Sequence, residues 1–98
     1  MDPSIVGPDI WKEIHNLAID VVDKKSEENF IKYIEDISNN FPCHVCKKHI
    51  NKYMKSHPFP CEYTKYFKWS WIFHNTVNVR IGKKYIPWNK VLFIYLLV

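Results

Sequence analysis

The chain is poor in glycine, and two glycines among 98 residues are too few for a glycine-rich phosphate loop, a collagen-like repeat or a flexible linker. Long apolar runs are also absent. The longest covers residues 91–98, whereas a membrane-spanning helix needs about 20 apolar residues. Residues 1–5 have neither the charged start nor the apolar centre of a secretory signal. We therefore expect a soluble intracellular protein without a membrane segment.

Cysteine is scarce as well, with three residues in the chain. In the reducing compartment expected here, this number argues against a disulfide scaffold. Two of the three, Cys43 and Cys46, are separated by only two residues, and this C-x-x-C spacing favours a catalytic or metal-binding role.

The chain is rich in hydrophobic residues, at 47%, and in aromatic residues, at 16%. This composition and length predict one small domain spanning residues 1–98. The net charge is +4, with lysines scattered along the chain. Scattered lysine is typical of a solvated surface, so we expect no nucleic-acid ligand. A phosphate-bearing cofactor or an acidic partner remains compatible with this charge.

Hydrophobic spacing of three and four residues predicts an all-α fold. Proline, glycine and Ser26, the predicted N-cap of the second helix, mark the helix ends. The predicted helices are a first from Pro8 to about Val22, a second from Ser26 that ends before Pro42, a third from about Cys43 to Met54, a fourth from Glu62 to Ile81 that ends at Gly82, and a fifth from Asn89 to Val98.

The C-x-x-C follows Pro42 directly, which places both sulfurs in the first turn of the third helix. Free backbone N–H groups and the helix dipole favour the thiolate there. A thiolate attacks disulfides, reduces a cofactor or binds zinc. Two alternatives stay open: buried thiols that only pack, and a small zinc-stabilised interaction module. The zinc ligands would be Cys43, Cys46 and His49 with His57 or Cys61.

A second cluster of polar residues lies in the aromatic fourth helix, where His74, Asn75 and Asn78 crowd one side. Taken alone, His74 fits a structural histidine and Asn75 a surface residue. Together with Trp11 and His15 of the first helix, they resemble the lining of a slot for a planar heterocycle, because they stack on rings and form hydrogen bonds along a ring edge. Lys83, just beyond the helix end, is placed to reach a phosphate.

These motifs occur in a fixed order: Trp11-x-x-x-His15, then Cys43-x-x-Cys46, then a segment from His74-Asn75 through Val77-Asn78 to Gly82-Lys83. Over residues 7–91 the chain resembles the Erv/ALR-type FAD-linked sulfhydryl oxidases, most of all the short forms encoded by large cytoplasmic DNA viruses. Each motif alone is weak, and the three together are highly specific.

The resemblance implies a four-helix bundle with a short fifth helix and FAD at the mouth of the bundle. It implies that Cys46 is the sulfur next to the flavin and that Cys43 exchanges with incoming thiols. Tyr53 is added to the cofactor lining without a motif to place it. The positions matching the family's FAD contacts are Trp11, His15, His74, Asn75, Val77, Asn78 and Lys83.

Two departures from the family pattern bear on the site. Trp88 stands where cellular relatives carry a cysteine, so we expect their additional structural disulfide to be missing and the tryptophan to pack against the adenine. Lys84 replaces the usual proline, and we expect it to add a phosphate contact. Ile81 for the usual leucine changes little.

The resemblance also implies oxidation of thiols in protein substrates, or in a thioredoxin-like redox partner, with O₂ as acceptor and H₂O₂ as product. A homodimer is expected from the family and from the apolar C-terminal segment, which needs cover. The expected location is the cytoplasm, meaning the host cytoplasm or the virion if the protein is viral. Cys61 has no assigned mate: a relay, a bridge between subunits and an idle thiol all remain open.

Overall fold

The computed structural model describes residues 8–40 and 44–96, with side chains described for residues 9–40 and 47–95. These residues form five α-helices and one short 3-10 helix, without a β-strand among them, which confirms the all-α prediction. No helix in these two ranges is long and apolar enough to cross a membrane. The elements are α1 (Pro8–Ile19), α2 (Lys24–Asn40), α3 (His44–Ser56), a 3-10 turn (Tyr63–Lys65), α4 (Tyr66–Arg80) and α5 (Trp88–Leu96).

The first four helices pack around one core, each against two neighbours. Helix α1 packs against both α2 and α4, and α2 packs against α3. Helices α3 and α4 complete this arrangement through Tyr53 and Trp69, whose aromatic ring centroids lie 5.2 Å apart. Phe30 of α2 is fully buried and meets the edges of Tyr66 and Trp69. Edge-to-face aromatic pairs add packing energy beyond the area they bury, so these rings join α2 to α4.

The N-cap of helix α2 lies three residues before the predicted one. Asp23 is the N-cap, because its Oδ1 accepts the backbone N–H of Ser26 at 2.8 Å. Ser26 Oγ in turn accepts the backbone N–H of Asp23 at 3.1 Å, which makes a reciprocal capping box. The prediction of Ser26 as N-cap was therefore wrong. Both residues are good cap formers. Asp23 is the N-cap because the side chains of Asp23 and Ser26 then accept each other's backbone N–H groups.

Helices α3 and α4 follow the expected segments with shifted starts and ends. Helix α3 runs to Ser56, two residues beyond the prediction, and it buries Ile50 and Tyr53 as expected. The segment predicted as one helix from Glu62 opens with a 3-10 turn, in which the N–H of Lys65 bonds the carbonyl of Glu62 at 3.1 Å. No side chain caps this end, and a 3-10 turn is a common way to begin such a helix.

The end of α4 is set by Gly82, as predicted. Gly82 has a φ of +80°, which is left-handed backbone that glycine adopts without strain. The N–H of Lys83 bonds the carbonyl of Asn78 at 2.8 Å, and the N–H of Gly82 bonds that of Val79 at 3.3 Å. These two bonds form a Schellman motif. The chain therefore turns sharply and brings Lys83 back beside α4.

Helix α5 packs on the bundle through one side only. Val91 is 1% exposed, and Tyr95 lies against His15 of α1 with ring centroids 4.9 Å apart. Phe93 and Ile94 on the other side are exposed at 61% and 48%. The bundle therefore covers one side of this apolar helix and leaves the side with Phe93 and Ile94 exposed.

Candidate functional site

A buried hydrogen-bonded chain links α1 to α4 at the centre of the candidate site. His15 is 0% exposed, and its Nδ1 lies 2.8 Å from Ser70 Oγ. Its other nitrogen, Nε2, lies 2.9 Å from Nδ1 of His74. Ser70 and His74 are one helical turn apart on α4, so both reach His15 from the same face of that helix. The structure thus brings together two residues predicted from separate motifs.

Both imidazoles are held neutral by their surroundings. Burial, with a smaller effect of the neighbouring His74, lowers the pKa of His15 to about 3. Burial, with a smaller effect of the positive charge on Lys83, lowers the pKa of His74 to about 4. A desolvated imidazole takes up a proton less readily because the charged form loses its hydration. At neutral pH each ring therefore carries one proton and one lone pair.

Trp11 covers His74 on the side of α1. The two rings are nearly parallel, at 6° with centroids 4.0 Å apart, and both side chains are half-buried. Phe73 meets Trp11 edge-on at 5.1 Å, and Tyr53 stacks on Phe73 at 4.8 Å. The result is a row of aromatic rings that begins at the half-buried Trp11, turns edge-on at Phe73 and continues into the core at Tyr53.

Tyr53 lies at the inner end of this row of rings. Its hydroxyl donates to the carbonyl oxygen of Trp69 at 3.0 Å, and the side chain is 4% exposed. Burial raises the pKa of Tyr53 above its usual range, so the phenol stays protonated and keeps donating. In this structure Tyr53 is separated from Trp11 by the ring of Phe73.

Asn75 uses its amide to hold the loop after α4. Its Nδ2 donates to the carbonyl of Ile86 at 2.9 Å, and its Oδ1 accepts the N–H of the same residue at 2.8 Å. The indole N–H of Trp71 donates to that carbonyl as well, at 2.7 Å. Asn75 therefore joins α4 to the segment that leads into α5.

The remaining predicted residues lie around the same helix. Val77 and Asn78 are buried, at 8% and 5% exposure. Lys83 and Lys84 are exposed on the turn after α4, and the charge of Lys83 is close enough to His74 to lower its pKa. Trp88 packs against Trp71 at 5.0 Å and Phe67 at 5.7 Å, which joins the start of α5 to α4.

The outer face of α4 carries a separate open groove of about 490 Å³. Two of its lining side chains are strongly exposed, Val79 at 66% and Tyr85 at 55%. Of the predicted site residues whose side chains are described, Asn75 alone reaches it. The complete lining is Trp71, Ile72, Asn75, Thr76, Val79 and Tyr85.

The predicted redox cysteines lie at the edge of what the structure describes. Cys43 falls outside the described residues, and Cys46 is described by its backbone alone, as the third residue of α3. The first turn of α3 contains no acidic residue. Cys61 is a free, exposed thiol. Among the described side chains, no three or more of His, Cys, Asp and Glu come together as a metal site.

Ser70 is the site residue that the sequence reasoning missed. It is 0% exposed and the hydrogen-bond partner of His15. A signal was available, since Ser70 is a lone hydroxyl between Trp69 and Trp71, four residues before His74 on the same helical face. A small polar residue in such an aromatic run indicates a buried hydrogen bond.

Comparison with known proteins supports the family resemblance. The sequence model of the Erv1 / Alr family matches residues 8–95. The chain is 32% identical over 93 residues to an African swine fever virus protein named FAD-linked sulfhydryl oxidase, covering 91% of this chain and 78% of the viral one.

Two plant proteins are similar over a smaller share of their own length. FAD-linked sulfhydryl oxidase ERV1 of Arabidopsis thaliana is 29% identical over 90 residues, which is 88% of this chain and 47% of that protein. Sulfhydryl oxidase 1 of Oryza sativa subsp. japonica is 30% identical over 76 residues, which is 76% of this chain and 15% of that protein. With Trp11, His15 and His74 assembled on one helical bundle and the family model matched over nearly its whole length, the chain belongs to the Erv1 / Alr family.

Proposed function

We propose that this enzyme is an FAD-linked sulfhydryl oxidase, like the viral protein it resembles, and that it forms disulfides in protein substrates through Cys43 and Cys46. The observation that carries the proposal is the assembly of Trp11, His15 and His74 into one site, in a chain that matches the family over residues 8–95. The overall reaction is 2 R–SH + O₂ giving R–S–S–R + H₂O₂.

The described residues fit FAD by the chemistry of their donors and acceptors. Trp11 and His74 offer a half-buried aromatic surface, on which a planar ring system can stack. His74 forms no hydrogen bond through Nε2 to another described residue, so this atom can serve a ligand. Lys83 and Lys84 put positive charge beside the same helix, which suits the cofactor phosphates. Asn78 adds a buried amide on the same helix.

The protein dithiol is oxidised by exchange with a Cys43–Cys46 disulfide. A substrate thiolate attacks the Cys43 sulfur, the Cys43–Cys46 bond breaks, and Cys46 leaves as a thiolate. A second substrate thiolate then attacks the substrate sulfur of the mixed disulfide and releases Cys43. Bound FAD supplies the two-electron oxidation that restores the Cys43–Cys46 disulfide, and passes the electrons to O₂.

The start of α3 favours Cys46 as the leaving group. Cys46 is the third residue of the helix, where backbone N–H groups have no partner within the helix. The positive end of the helix dipole lies there, and the first turn brings no carboxylate to oppose it. A thiolate at this position is stabilised, so the disulfide opens more readily.

The proposal is tested by Cys46→Ser, with Cys61→Ser as the matched control. We expect purified protein to show flavin absorption, to consume O₂ with a dithiol, and to release H₂O₂ in equal amount. Cys46→Ser should lower turnover by about 100-fold or more while the flavin absorption is kept, because FAD binding does not need this sulfur. Cys61→Ser should turn over normally. Colourless protein that takes up no added FAD, or full activity of Cys46→Ser, would refute the proposal.

A further inference from the structure

The hydroxyl group of Ser70 has a single proton, and the structure shows which atom receives it. Ser70 Oγ donates to the carbonyl oxygen of Phe67 at 2.6 Å. The hydroxyl can therefore only accept in its second contact, with Nδ1 of His15 at 2.8 Å. It follows that Nδ1 of His15 carries a proton and donates it to Ser70.

The state of His15 then determines the state of His74. His15 is enclosed by the rings of Phe67 and Tyr95 and is neutral at pH 7, so its Nε2 carries a lone pair. Nδ1 of His74, at 2.9 Å from this lone pair, must donate to it. Since His74 is also neutral, its Nε2 is left without a proton. This atom is an acceptor, and no described residue donates to it.

We propose that Ser70 is a positioning residue: it fixes the tautomers of His15 and His74, so that Nε2 of His74 accepts a hydrogen bond from an N–H or O–H group of FAD. The inference rests on the proposed function, because it takes FAD as the ligand. FAD has such donors on both of its ring systems and on its sugar hydroxyls. Among the described residues Ser70 bonds to His15 and Phe67 alone, and it acts through the two histidines.

Removing the Ser70 hydroxyl reverses this arrangement. Without it, Nδ1–H of His15 is a buried donor that has lost its acceptor, which is a costly state. Moving the proton to Nε2 of His15 relieves this cost, because Nε2 then donates to His74. His74 must accept at Nδ1 and hold its own proton on Nε2. That nitrogen would then meet the ligand as a donor facing a donor.

The chain offers a matched control in Ser38 of α2. Ser38 is 3% exposed, and its Oγ donates to the carbonyl three residues earlier, Glu35, at 2.8 Å. This is the same local bond that Ser70 makes to Phe67, without a histidine partner. Ser38→Ala therefore loses one buried hydroxyl and one local hydrogen bond, as Ser70→Ala does. It removes no hydrogen bond of His15 or His74.

The test combines nitrogen NMR of histidine-labelled protein with FAD titration of the apoprotein. In the wild type we expect both imidazoles to carry their proton on Nδ1. Ser70→Ala should move both protons to Nε2 and weaken FAD binding by about tenfold or more, whereas Ser38→Ala should keep the wild-type tautomers and bind FAD within about twofold. Ser70→Thr, which keeps a hydroxyl, should restore the wild-type tautomers.

Three results would overturn the inference. One is a proton on Nε2 of His74 in the wild-type protein. This measurement does not depend on whether any variant folds. Another is a Ser70→Ala protein that matches Ser38→Ala in both measurements. The last is reversed tautomers with unchanged FAD affinity. A wild-type protein that binds no FAD would defeat the proposed function and the ligand assignment together, while its NMR spectrum would still decide the tautomers.

Discussion

At the scale of single residues, the histidines of the site behave as neutral hydrogen-bonding groups. His15 is fully buried and His74 half-buried, and each is bonded to a polar neighbour. Burial is the larger cause of both lowered pKa values. Protonation of either ring would place a positive charge where burial has removed most of its hydration. The same pair that suits a flavin site therefore makes the fold sensitive to acid.

This sensitivity predicts a loss of stability between pH 7 and pH 5. The unfolded chain binds protons on both histidines near pH 6.5, whereas the folded chain resists protonation until about pH 4 for His74 and about pH 3 for His15. Stability is therefore complete above pH 6.5 and falls as the pH drops. We expect the free energy of unfolding to decrease by about 2 to 4 kcal/mol from pH 7 to pH 5.

Urea denaturation at a series of pH values measures this slope. His15→Leu is the comparison variant, because it removes one of the two buried titrating groups and should reduce the slope by about half. Equal stability of the wild type at pH 7 and pH 5 would show that the histidines are not held neutral.

At the scale of elements, the segment between α4 and α5 is held by side chains of α4. Asn75 bonds both the N–H and the carbonyl of Ile86, and Trp71 donates to the same carbonyl. The Schellman motif at Gly82 fixes the other end of this segment. Lys83 and Lys84, predicted to meet the cofactor phosphates, thus lie on a turn that is tied down at both ends.

We predict that Asn75→Ala loosens this segment. Without the amide, the N–H of Ile86 loses its acceptor, and the cost should be about 1 to 3 kcal/mol of unfolding free energy. Thr76→Ala is the neighbouring control, since the Thr76 hydroxyl is exposed and bonds only its own helix, at Ile72. Hydrogen exchange at the Ile86 amide and thermal denaturation check the effect. Unchanged protection of that amide in Asn75→Ala would contradict it.

At the scale of the whole molecule, charge is divided along the chain. Nine of the ten acidic residues precede residue 37, and ten of the fourteen lysines and arginines follow it. Helices α1 and α2 therefore carry the negative charge, and the later helices carry the positive charge. Arg80, Lys52 and Lys48 lie close enough to His49 to add to the effect of burial in lowering its pKa. The excess of lysine and arginine on the later helices therefore favours anions.

This division predicts that salt weakens FAD binding. FAD carries two phosphates, and its attraction to the lysines and arginines of the later helices should be screened as ionic strength rises. We expect the Kd of the apoprotein for FAD to rise by roughly 3- to 10-fold between 0.05 and 0.5 M NaCl. Riboflavin shares the flavin ring and lacks the phosphates, so its Kd should change little. The same salt dependence for both ligands would argue against an electrostatic cause.

The sequence by itself determined the helices and the family. Apolar spacing, Pro8 and Gly82 are local signals, and the structure confirms the helices they delimit. The three motifs indicated the Erv1 / Alr family, which the family comparison confirms. The place of Cys46 in the first turn of α3 also followed from local sequence, because a helix that ends before Pro42 leaves Cys43 free to open the next one. The roles of Cys43 and Cys46 stay predictions.

Only the tertiary structure decided what the polar side chains of the site bind. Helical spacing put His74, Asn75 and Asn78 on one side of a helix, yet Asn75 turns its amide to Ile86 while His74 turns to His15. Ser70 is a site residue because the packing of α1 on α4 places Nδ1 of His15 2.8 Å from Ser70 Oγ. The physical reason is that helix periodicity fixes the face on which a side chain lies, while its hydrogen-bond partner comes from another element whose position depends on the packing of the whole bundle.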